Sequence, residues 1–62
     1  MLQFISKDGI YVVYINPHLV SVVTGDIGGN DEWCEITTTR GVYNVKGRAA
    51  EAQLRVWKAL ED

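Results

Sequence analysis

This 62-residue chain holds few of the residues from which reactive sites are built. It has one cysteine, Cys34, so no disulfide can form within it. Its one histidine, His18, lies 16 positions from that cysteine. Two such ligands do not make a four-coordinate zinc site within one chain, so neither a metal nor another cofactor is expected. No apolar run approaches the roughly 20 residues that cross a bilayer, so no membrane partner is expected. The start, MLQFISKDG, lacks the basic opening and long apolar core of an export signal. With a single cysteine in the sequence, that predicts a cytoplasmic location.

Size makes these absences matter. One domain, residues 1–62, is all the length allows, and a domain this small buries only about 60% of the surface of its unfolded chain. Small domains offset that thin margin with disulfides, a metal or a second chain. The first two being absent, association is the support left open, and a homo-oligomer is expected.

What is present is ordinary for a folded protein: 47% of residues are hydrophobic and 23% charged, a balance unlike that of a disordered chain. The net charge of −2 argues against general affinity for nucleic acid phosphates. Its distribution is uneven. Up to residue 39, Lys7 stands against Asp8, Asp26, Asp31, Glu32 and Glu35, a net −4. Beyond it, Arg40, Lys46, Arg48, Arg55 and Lys58 outnumber Glu51, Glu61 and Asp62, a net +2. Such halves either pair within the fold or steer a partner.

Turn signals recur at Lys7-Asp8-Gly9, Asn16-Pro17-His18, Gly25 to Asp31 and Arg40-Gly41. The runs between them are rich in Val, Ile, Tyr and Thr, which predicts antiparallel strands near 2–6, 10–15, 19–24, 33–39 and 42–46. Asp8-Gly9 reads as a two-residue hairpin turn. Arg40-Gly41 reads as a second tight connection. Pro17 cannot donate to a sheet ladder, so the apolar stretch 11–23 divides into two strands, joined through a corner with one turn of 3₁₀ helix at His18. Alternation puts Tyr11, Val13 and Ile15 on one face and Val12 and Tyr14 on the other. It also sets Cys34 and Ile36 opposite Trp33, Glu35 and Thr37. Several strands are thus apolar on both sides, as in a bent sheet, a small barrel or an interface.

From Arg48 the period changes to that of a helix. "RAAEAQLRVWKALED" contains good helix formers and neither glycine nor proline. Its apolar arc spans on the order of 220°, against little more than 100° for an ordinary surface helix. Leu54, Trp57 and Leu60 are therefore the candidate self-association residues. The competing reading is a helix sunk deeply into a curved sheet. The predicted fold is α+β: a twisted antiparallel sheet of four or five strands, meander-like or partly barrelled, packed by one C-terminal helix.

Catalysis needs a base or nucleophile and a group that orients it. His18 sits in a connection with no Asp or Glu near it, and Cys34 reads as a small apolar strand residue. No catalytic residue is expected. The loop "GDIGGNDEW" does not match the spacing of a calcium loop, nor the context of a phosphate-binding loop. As an exposed acidic loop it is the candidate partner surface, through Asp26, Asn30, Asp31 and Trp33, for an unidentified protein. Arg40, Lys46 and Arg48 supply the alternative, a weak nucleic-acid-binding regulator.

Asn16, Pro17, Leu19 and Val20 are followed later by Ile36, Gly41, Tyr43 and Val45. In these residues and in the order of features the chain resembles the small FlbD-type proteins associated with flagella, and in size and style it resembles accessory proteins of phages and prophages. The long loop before Trp33 and the absence of an acidic helix start depart from the FlbD pattern. The resemblance implies the strand-and-helix fold and no active site. Together these readings predict a non-enzymatic interaction or regulatory module that acts as a homo-oligomer.

Overall fold

A computed structural model describes residues 1–26 and 32–61. Among these residues five antiparallel strands form two sheets, followed by one helix. Strands β1 (Leu2–Ile5) and β2 (Val12–Ile15) make a hairpin. Strands β3 (Val20–Thr24), β4 (Trp33–Thr38) and β5 (Gly41–Lys46) make a second sheet in the order β3-β4-β5. A bridge between Ser6 and Val45, with the Lys7 amide donating to the Asn44 carbonyl at 2.9 Å, joins the hairpin to β5. The sheets do not close into a barrel.

The first hairpin connection is longer than the two-residue turn expected at Asp8-Gly9. No described non-glycine residue has a positive φ, so Asp8 does not adopt the backbone such a turn requires. Local hydrogen bonds hold a wider loop instead. The Gly9 amide donates to the Ser6 carbonyl at 2.8 Å, and the Tyr11 amide to Ser6 Oγ at 2.9 Å. Asp8 accepts from the Ser6 hydroxyl and from the Ile10 amide. Ladder pairing therefore ends at Ile5 and Val12, and Tyr11 lies outside the strand, exposed.

The corner at Asn16-Pro17-His18 is a 3₁₀ turn over Pro17–Leu19. Pro17 opens it, where a missing amide costs no helical bond, and Asn16 caps it by accepting from the His18 amide at 3.0 Å. The Thr39 amide then donates to the Leu19 carbonyl at 3.1 Å, tying this corner to the end of β4. There Thr38 pairs with Gly41, so the tight turn is Thr39-Arg40, one residue before the expected Arg40-Gly41. Thr38 Oγ1 fastens it, accepting from the Arg40 amide at 3.1 Å and donating to the Gly41 carbonyl at 3.0 Å.

β3 contains a bulge. Val20 pairs with Thr38, but Val22 pairs with Thr37, leaving Ser21 as an extra residue. Because side chains alternate, one inserted residue exchanges the faces beyond it. Val20 and Val23 turn inward and Val22 outward.

The core lies between the inner sheet faces and helix α1 (Ala49–Glu61), which packs on β1, β3, β4 and the 3₁₀ turn. It comprises Phe4, Ile15, Cys34, Ile36, Val45, Ala52 and Val56. Ile36 and Val45 are 0% exposed and Cys34 is 1% exposed, so the expected inward face of β4 is observed. Tyr43 shares the face of Val45 but sits at the margin, partly open. Arg55 ties the helix to the hairpin: its guanidinium donates to the Gln3 carbonyl at 2.7 Å and lies 4.2 Å from the Phe4 ring centroid.

Candidate interaction surface

α1 forms where its residues have strong intrinsic helix preference, with Glu51 in the first turn and Lys58 in the last, each at the helix end that favours its charge, so the helix start is acidic where no acidic start was expected. Gly47, at φ +116°, sets the chain direction into it. Only a narrow face is used by the sheets: Ala52 and Val56 are buried, and Ala49, Gln53 and Ala59 half-buried. The helix is not sunk into a curved sheet. On its outer side Leu54 is 57% exposed and Trp57 56%, and Leu60, beside half-buried Gln53 at the margin, is 44% exposed. Leu54 and Trp57 are three residues apart and so neighbours on the helix surface. All three expected self-association residues are thus open to solvent on one element.

The partner surface expected at the acidic loop is only partly in view. Asn30 and Asp31 lie outside the described residues. Asp26 is exposed, and Trp33, on the outer face of β4, is about half open. The Lys7 ammonium stands over the Trp33 ring, 3.7 Å from its centroid, in a cation–π contact worth about 0.5–1 kcal/mol at such a site. One ring face is therefore already engaged within the chain.

Arg40, Lys46 and Arg48 do not form one patch. Arg40 belongs to the turn before β5, while Lys46 ends that strand and Arg48 follows it. At about 3.3 Å per residue, β5 holds Arg40 and Lys46 roughly 20 Å apart. Lys46 instead approaches the hairpin loop, where it adds attraction to Asp8. His18 is exposed on the 3₁₀ turn and Cys34 is buried in β4, so the two sit in opposite environments. Among the described residues there is no cluster of three potential metal ligands, and no helix is long and apolar enough to cross a membrane.

Alternation left a further apolar surface unassigned. Ile5, Val12 and Tyr14 lie on the outer face of the hairpin, and Val22 and Val42 on that of the second sheet, all exposed. The two-sided apolar strands were its signal, but periodicity does not say which second faces are covered.

The residues behind the FlbD-type resemblance, marginal Tyr43 apart, shape the fold. Asn16 and Pro17 make the corner, Leu19 and Val20 are half-buried beside it, and Ile36 and Val45 are core. Gly41, at φ +150°, takes a backbone conformation that side chains disfavour. No family model, no curated protein and no solved structure matches the chain.

Proposed function

We propose that this chain is a non-enzymatic interaction or regulatory module of the cytoplasm, working as a homo-oligomer through the outer face of α1. One observation carries the reading. Leu54 and Trp57 are exposed on the helix side opposite the one the chain's own sheets use, and Leu60 is exposed at the margin between the two. Burying such side chains is worth about 1.5–3 kcal/mol each, so leaving all three in water is costly for a domain with a small core. The buried thiol of Cys34 suits a reducing compartment.

Sedimentation of the full chain over a wide micromolar range tests this. A concentration-dependent rise in mass is expected, and Trp57→Glu should abolish it. The same substitution should leave the thermal midpoint of the monomer nearly unchanged, because Trp57 contributes little to the chain's own core. A strict monomer at high micromolar concentration overturns the proposal. A nucleic-acid role through Arg40, Lys46 and Arg48 needs them to act together, which the length of β5 opposes.

A further inference from the structure

We infer that the partner of α1 is a second copy of α1 running antiparallel to it, with Glu51 of each copy facing Lys58 of the other; this rests on the self-association reading above. The inference follows from how charge is arranged around the exposed stripe. With 3.6 residues per turn and Leu54 as origin, Ala50 lies at about −40°, Trp57 at about −60° and Glu61 at about −20°. These four define the outward stripe. Glu51 and Lys58 flank it on one side, at about +60° and +40°. Gln53 and Leu60 flank it on the other, at about −100° and −120°. One flank is therefore charged, with its anion near the helix start and its cation near the end, and the other is uncharged. Among the described residues, neither Glu51 nor Lys58 makes a hydrogen bond or ion pair through its side chain within its own chain.

A two-fold axis through the middle of the stripe, between Leu54 and Trp57, sets Leu54 of one copy against Trp57 of the other. In an antiparallel pair each flank meets its own equivalent. The charged flank then meets itself reversed. At 1.5 Å per residue, Glu51 and the second copy's Lys58 differ by about 3 Å along the axis, within side-chain reach. The symmetry makes this contact twice, and the opposed helix dipoles favour it. In a parallel pair the charged flank meets the uncharged one, so Glu51 has no cation opposite it, and the dipoles repel. The flank is thus complementary to itself in one orientation, which selects a second copy as the occupant.

The 13-residue helix offers on the order of a few hundred Å² of apolar surface per copy, less than the roughly 800 Å² of a standard interface. Association in the micromolar range is expected.

Two experiments on the full chain decide it. In sedimentation equilibrium at low salt, Lys58→Glu should weaken the dimer about tenfold, and adding Glu51→Lys should restore most of the loss. In the second, a short bismaleimide is added to chains carrying Ala50→Cys, Glu61→Cys or an equimolar mixture. Positions 50 and 61 face each other across the antiparallel axis, so the mixture should cross-link between the two variants and neither variant with itself. Self-cross-linking of Ala50→Cys, or a charge exchange that fails to restore affinity while dimers persist, overturns the antiparallel arrangement and leaves self-association standing. Absence of dimers from the unsubstituted chain overturns both.

Discussion

Gly25 follows the last residue of β3 and lies against the first residue of α1. A methyl group built on it would sit 2.6 Å from the Ala49 Cβ, well inside ordinary van der Waals contact. Two effects oppose each other in Gly25→Ala. The φ of Gly25 is not positive, so alanine can adopt it, and the stiffer unfolded chain contributes about 0.4–1 kcal/mol toward folding. Overpacking of a well-filled contact costs about 1–3 kcal/mol. The clash is expected to win, with a net loss of about 1–2 kcal/mol. A domain of this length has a total stability of about 3–9 kcal/mol, so the loss is a substantial fraction. The thermal midpoint should fall by roughly 4–15 °C. Urea and thermal unfolding, followed by circular dichroism, measure it. Ala49→Gly removes the obstructing atom, at up to about 1 kcal/mol of helix propensity. The double variant should therefore be more stable than the two single losses added together, by about 1 kcal/mol. An unchanged or raised midpoint in Gly25→Ala, or strict additivity in the double variant, would refute the reasoning that β3 and α1 are packed too closely here for a methyl.

The other two expectations concern the turns. Asn16→Ala removes the acceptor of the His18 amide and should lower stability by about 0.5–2 kcal/mol, seen as a lower urea midpoint at unchanged slope. Asp8 is held below its ordinary pKa of 3.8, first by the Ser6 hydroxyl and then by the Ile10 amide. A carboxylate depressed by folding stabilises the fold above its unfolded pKa, and that contribution is lost as pH falls below about 4. Asp8→Asn, which keeps an acceptor but does not titrate, should therefore flatten the fall of the unfolding midpoint on acidification. A fall of equal steepness in both proteins would remove Asp8 from the account.

Much of the fold was readable because the relevant signals are local. Pro17 denies β2 and β3 a continuous ladder whatever surrounds it, and the residues after Arg48 prefer a helix on their own. The bulge at Ser21 was not readable. "VSVVT" alternates equally well in two registers, and only pairing with Thr37 and Ile36 selects the one that turns Val23 inward. The same holds for Arg55, whose contacts with Gln3 and Phe4 span some fifty residues of sequence. The candidate surface on α1 was legible because an apolar arc wider than one packing face leaves part of itself outside. The basic residues Arg40 and Lys46 lie at opposite ends of β5 for a metric reason: closeness in sequence along a strand is distance in space.

The bulge has a consequence for solubility. β3 is the edge of its sheet, and Val20–Thr24 carries neither charge nor proline to discourage another strand from adding to it. Short uncharged β-branched segments of this kind are the usual seeds of cross-β aggregation. The extra residue at Ser21 breaks the edge after a single paired position, so an incoming strand meets an interrupted row of donors and acceptors and a local twist. A device that appears in the fold as an irregularity of register thereby keeps this edge from templating its own kind.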